Sequence, residues 1–148
     1  HTNDAPSTIT RLQNMGTPDY LISAATQLVL AQRLARRSCK ECRVPDEDVT
    51  PKVLTDLGFS PELASRVKAL KGKGCPKCKD SGYKGRQGIY EILVVSKPVK
   101  EAILRKATTP ELREIAVKEG FQTMQDMGRR LIANGELNFR EYERVLSS

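Results

Sequence analysis

The chain predicts an α+β fold, mostly helical, in which a small antiparallel pair of strands brackets a metal-binding insertion. Three observations carry this. All four cysteines of the 148 residues fall in two CxxC pairs, Cys39 with Cys42 and Cys75 with Cys78. The stretches flanking that interval, LVLAQRLARR and QGIYEILVV, alternate or run apolar as strands do. The last third is dense in helix start signals, Thr or Asn ahead of proline or of a periodic apolar run.

In chain order, TITRLQNMG places Ile9, Leu12 and Met15 at helical spacing with Gly16 to stop the turn. DYLISAATQ reads as a second short helix with Asp19 at its N-cap. The strand LVLAQRLARR points Leu30, Gln32 and Leu34 one way and Ala31, Arg33 and Ala35 the other, and ends before Cys39. Between the cysteine pairs, Thr50-Pro51 and Ser60-Pro61 open two small helices, and Gly58 closes the first. After Cys78, Gly82, Gly85 and Gly88 make a tight turn into the returning strand, where Glu91 is structural, paired across the sheet with Arg33. KPVKEAILRKA, PELREIAVKEG capped by Thr109, TMQDMGRRLIANG, and NFREYERVL capped by Asn138 follow as helices. Leu112, Ile115 and Ala116, then Met124, Met127, Leu131 and Ile132, form apolar stripes that read as core.

Apolar residues at 39% and charged residues at 29% give a globular balance. The longest uncharged run, Tyr20 to Gln32, falls short of the about 20 apolar residues a bilayer crossing needs. HTNDAPSTITR has neither the basic leader nor the apolar centre of a signal peptide, so a cytoplasmic protein is expected. A start at His1 rather than Met suggests a piece of a longer chain. The net charge of +7 reads first as a solvated basic surface, because cations and acids are interspersed.

Two residues between cysteines let a knuckle aim both sulfurs at one ion, and two knuckles supply the four thiolates of a tetrahedral zinc site. Nearby cations such as Arg36, Arg37, Lys40, Lys73, Lys77 and Lys79 favour thiolates and offset a tetrathiolate's charge. Disulfides are the alternative, against which stands the lack of a secretion signal, with an iron–sulfur cluster or a redox CxxC as further readings. Four protein thiolates leave no open position, so such a zinc is structural.

Three stretches together, HTNDAPSTITRL at 1–12, LAQRLARRSCKEC at 30–42 and GCPKCKDSGYKGRQGIYEIL at 74–93, resemble the C-terminal part of the secretion ATPase superfamily. The likeness is to its type IV pilus assembly and type II secretion members that carry a tetracysteine zinc motif, and it is weakest over 43–73. It implies a RecA-like core ending at 1–38, a zinc insertion at 39–82, a returning strand at 83–96 and a C-terminal helical bundle at 97–148. It further implies a cytoplasmic homo-hexamer at the bacterial inner membrane that spends ATP and Mg²⁺ to move a membrane platform protein. HTND matches the end of that family's histidine box, which gives His1 a contact to the γ-phosphate in the parent protein. Arg86, among three glycines, is a candidate contact to a ligand or a neighbouring subunit.

The chain has no GxxxxGK[ST] phosphate loop and no acidic Walker B box, so alone it is expected neither to bind ATP tightly nor to hydrolyse it. The competing function is a zinc-ribbon nucleic-acid module, favoured by charge. Against it, the chain has no Trp and only seven aromatics with no basic stripe among them, so no nucleic-acid partner is expected.

Overall fold

The computed structural model describes residues 3–147, so His1 lies outside the described residues. It shows a mixed α/β chain with eight α-helices among those residues and two small sheets of two strands each. Two compact units divide it: one runs to Gln32 and resumes over Tyr90–Met124, the other takes Arg33–Ile89 and resumes at Gln125.

The first unit opens with α1, Ala5–Asn14. Asp4 caps it, its Oδ1 accepting from the Ser7 amide at 2.8 Å, while Pro6 occupies a first-turn position where no amide hydrogen is needed. Gly16 leaves the helix at φ +90°, a conformation that favours glycine. The helix α2, Asp19–Ala25, differs from expectation at its start: Pro18 is the capping residue, and the Asp19 carboxylate accepts instead from Gln13 Nε2 at 2.8 Å. Met15 sits past the end of α1 and is 72% exposed, so that helix packs through Ile9 instead.

Strands β1, Leu28–Ser38, and β4, Tyr83–Val94, pair with each other. Val95 donates to the Gln27 carbonyl at one end and Cys39 to that of Gly82 at the other, so the pair is antiparallel. The returning strand starts earlier than the QGIYEILVV stretch alone suggests. Gly85 and Gly88 lie inside it, Gly85 at φ +80°, and only Gly82 belongs to the turn.

Helices α5, Lys97–Leu104, and α6, Thr109–Lys118, complete the first unit, α2 packing on α5 and α1 on α6. The cap of α6 is Thr108, one residue before the expected Thr109, because Glu111 three residues on returns a bond to the Thr108 amide. Thr109 instead shares a 2.6 Å bond with Thr10. Ile9, Ile22, Leu93, Val99, Ile103 and Leu112 form the core of this unit, each contributing about 1.5–3 kcal/mol by leaving water. Glu91, 3% exposed on β4, takes no bond from Arg33. Its Oε1 accepts from the Ala5 amide at 2.6 Å and its Oε2 from the Met124 amide at 2.9 Å.

In the second unit β1 leads into β2, Arg43–Pro45, then α3, Pro51–Asp56, α4, Pro61–Arg66, and β3, Leu70–Gly72. Thr50 and Ser60 cap the two helices through bonds from Val53 and Leu63, as their Thr-Pro and Ser-Pro steps predict. Helix α7, Met124–Ala133, extends into this unit, and α8, Phe139–Leu146, closes it, capped by Asn138 at 2.7 Å from the Glu141 amide. A side chain at Gly128 would meet Leu146 Cδ1 at 2.6 Å and Tyr142 Cε2 at 2.7 Å, which is how closely α7 and α8 approach.

Candidate metal centre

The four cysteines are gathered by backbone pairing. β1 delivers Cys39 at its end, and β2 follows Cys42 directly. β2 pairs antiparallel with β3, Arg43 opposite Gly72 and Pro45 opposite Leu70, so the chain two residues beyond β3 arrives beside the first knuckle. Lys73 donates to the Cys42 carbonyl at 3.1 Å to fix that register. The second pair is bent by a single 3₁₀ turn, Pro76–Cys78, after which Lys79 and Asp80 take left-handed backbone at φ 54° and 61°.

Gly82 joins the two knuckles. Its amide donates to Cys78 Sγ at 3.2 Å and its carbonyl accepts from the Cys39 amide at 2.9 Å. A Cβ there would lie 2.5 Å from the Gly72 carbonyl oxygen, so the approach needs glycine on both sides.

The four sulfurs lie within 4.8 Å of one another. Cys39 to Cys75 and Cys42 to Cys78 are 3.8 Å apart, and Cys75 to Cys78 is 3.7 Å. A tetrahedron with metal–sulfur bonds of about 2.3 Å has edges of about 3.8 Å, whereas a disulfide requires about 2.05 Å. The donor set therefore fits one tetrahedral ion of the kind four thiolates hold. Cys39, Cys42 and Cys78 are buried and Cys75 is half-buried, which leaves the ion's position closed to solvent on most sides.

Burial raises both the Cys42 and Cys78 thiols, but the surroundings split them. At Cys78 the amides of Gly82 and Cys75, at 3.2 and 3.3 Å, outweigh burial and bring it down to about 6. Cys42, against the other three sulfurs, is pushed up to about 11. A cation supplied to the cluster stabilises every thiolate and removes this split.

A second polar centre, which the sequence analysis does not single out, lies in the same unit. The Glu141 side chain is fully buried, accepting from the Arg36 amide at 2.9 Å, from Arg36 Nε at 3.1 Å and from Arg144 Nε at 3.0 Å. Against a burial that raises it, these donors hold Glu141 down to about 2. The Arg36 guanidinium also lies 4.1 Å from the centre of the Tyr83 ring, whose hydroxyl accepts from Asn138 at 3.0 Å. Asn138-x-x-Glu141 has the spacing of a capping box, the one signal that could have marked Glu141. Arg86 is exposed on β4, and its side chain makes no hydrogen bond or ion pair among the described residues.

The sequence model of the family described as Type II/IV secretion system protein matches residues 1–144. The chain belongs to that family. Among its relatives, the type IV pilus assembly ATPase PilB of Myxococcus xanthus is 38% identical over 141 residues, covering 95% of this chain and 25% of the relative. The PilB of Thermus thermophilus is 43% identical over 131 residues, covering 86% of this chain and 14% of the relative. The type II secretion system protein HxcR of Pseudomonas aeruginosa is 36% identical over 145 residues, covering 98% and 27%. This member of the Type II/IV secretion family thus spans about a quarter or less of the curated relatives it matches, and its four clustered cysteines can hold a metal ion. No helix among the described residues is long and apolar enough to cross a membrane.

Proposed function

We propose that the chain is the C-terminal segment of a hexameric, ATP-driven motor for type IV pilus assembly or type II protein secretion, working on the cytoplasmic face of the bacterial inner membrane. The observation that carries this is identity of 36–43% to pilus-assembly and secretion ATPases over most of the chain. The cysteine cluster holds one structural Zn²⁺, because four protein thiolates at tetrahedral spacing leave no position for water or substrate. The zinc module over 39–82 is a rigid body that passes nucleotide-driven motion to a membrane platform protein.

Within this reading, residues 1–38 end a RecA-like core, 83–96 return to it, and 97–148 form the terminal helical part. An apolar row supports an incomplete core. Leu28 and Leu30 on β1, with Ile92 and Val94 on β4, are 48–62% exposed on the face opposite the packed Val29, Ala31 and Leu93. The rest of the motor covers that row. His1 contacts the γ-phosphate in the parent protein, where ATP and Mg²⁺ bind. Arg86, solvated and unpaired, meets a neighbouring subunit or its ligand.

The test is twofold. The purified chain is expected to show no ATP turnover above contaminant controls. Co-expressed with a preceding segment that carries the phosphate loop, it is expected to assemble into nucleotide-dependent hexamers by native mass measurement. Turnover by the chain alone, or no association with that segment, overturns the reading.

A further inference from the structure

The four cysteines of the metal centre are not equally protected. Cys39, Cys42 and Cys78 are 0%, 4% and 6% exposed, whereas Cys75 is only half-buried. The difference has a local cause. Cys39 ends β1 with its amide bonded to the Gly82 carbonyl, Cys42 is tied by its carbonyl to Lys73, and Cys78 Sγ accepts from the Gly82 amide at 3.2 Å. Cys75 opens the 3₁₀ turn instead, and the next two residues, Pro76 and Lys77, are themselves exposed, so its own turn gives it no cover.

A thiol bound to a metal is deprotonated, and the thiolate is the form that reacts with oxidants. Peroxides select accessible thiolates that have a second cysteine in reach. Cys75 meets both conditions, with Cys78 Sγ at 3.7 Å and Cys39 Sγ at 3.8 Å. A disulfide of about 2.05 Å to Cys78 needs only the turn they share to relax, while Cys39 is held at the end of a strand. That turn is already constrained. Lys79 and Asp80 follow it at φ 54° and 61°, left-handed values that non-glycine residues keep only where their surroundings over-determine them. Four sulfurs on one ion supply such a constraint, and losing two of them removes it.

We propose that Cys75 is the oxidation site of the metal centre, through which hydrogen peroxide converts the second knuckle to a Cys75–Cys78 disulfide and frees the ion. The Cys75 sulfur attacks one peroxide oxygen: the O–O bond breaks, an S–O bond forms, and the other oxygen leaves as hydroxide. Cys78 then attacks the Cys75 sulfur, so that an S–S bond forms, the S–O bond breaks and a second hydroxide leaves. Each hydroxide takes a proton. Two thiolates have given up two electrons, and the peroxide is reduced to two waters. Cys39 and Cys42 remain, too few to complete a tetrahedral site. The inference rests on the zinc reading and is independent of the motor reading.

The experiment measures the zinc content of the purified chain, adds one equivalent of hydrogen peroxide, and follows zinc release with a coloured chelator. Alkylation and peptide mass measurement then map the cysteines. Zinc should be lost in step with a single disulfide, Cys75 to Cys78, while Cys39 and Cys42 remain alkylatable; a thiol reductant with added zinc should restore the starting state. Cys75→His keeps four ligands, because three cysteines and a histidine also hold zinc, and it should lose the peroxide-driven release. Cys39→His, which leaves Cys75 in place, should keep that release. If Cys75→His binds no zinc, the disulfide map of the unaltered chain decides alone. Zinc retained under peroxide, a first disulfide other than Cys75–Cys78, or undiminished release from Cys75→His overturns the inference and leaves the zinc reading standing. A chain that holds no zinc overturns both.

Discussion

Glu91→Gln is the substitution that most directly tests how the first unit is held. The carboxylate is 3% exposed and spends both oxygens on backbone amides, Ala5 at 2.6 Å and Met124 at 2.9 Å. Each is the first residue of a helix, α1 and α7, so one buried charge satisfies two amides that have no intrahelical partner and sits at the positive end of two helix dipoles. Gln has the same shape but one acceptor. Its NH₂ must face one of the two amides, and a donor facing a donor forfeits a charged hydrogen bond of about 1.5–3 kcal/mol. Loss of the charge removes a further ~0.5–1 kcal/mol of dipole interaction. The expected cost is about 2–4 kcal/mol, a large part of a typical domain's 5–15 kcal/mol.

Urea unfolding followed by far-UV circular dichroism reads the total as a midpoint lowered by about 1–2 M at unchanged slope. Hydrogen exchange locates it: the Ala5 and Met124 amides and the first turn of α1 should lose protection first. A cost below about 0.5 kcal/mol, or a loss of protection that spares both helix starts, would refute the double-cap argument.

Removing metal with a chelator, or replacing Cys39 by Ser, should melt the β2–β3 pair and α3 and α4 while leaving protection of α1 and α6. Loss on the order of 10 kcal/mol of local stabilisation is the expected scale, and one zinc per chain with four thiols reactive only after chelation is the readout. For Glu141, whose folded pKa of about 2 lies below its ordinary 4.5, the pair stabilises the protein above pH 4.5 and the contribution disappears as pH falls toward 2. Because Arg36 and Arg144 are half-exposed, about 2 kcal/mol is a fair size after solvent screening. Glu141→Gln should accordingly flatten that acid limb. Gly128→Ala sets a methyl against Tyr142 and Leu146, and overpacking should exceed the gain in helix propensity by about 1 kcal/mol, a melting point lower by about 2–4 °C.

The features legible in the sequence are those whose cause is local. Thr50-Pro51 and Ser60-Pro61 announce their helices because cap, proline and first turn lie within four residues. The alternation in β1 is visible because one face packs and the other does not. Thr108 and not Thr109 caps α6 because only Thr108 has a glutamate three residues on, a signal readable in the sequence. Asp4-Ala5-Pro6 was likewise a readable cap, obscured by its small polar surroundings. The strands β2 and β3, three residues each, are too short to show a period, and only the pairing of Arg43 with Gly72 defines them.

The metal centre shows where local reading stops. CxxC spacing is local, so the ligands are evident, but the geometry that gathers them is not: Gly82 meets Gly72 and Cys39 across gaps of ten and 43 residues, and no pattern in the chain couples those positions. The same holds for Glu91 and Glu141, whose partners lie up to 86 and 105 residues away. A buried carboxylate in a strand or helix looks from sequence like any exposed one, because its meaning is set by the donors that tertiary packing brings. The caps and knuckles can be read residue by residue. Glu91 and Glu141, which tie separate segments together, become intelligible only once the chain is folded.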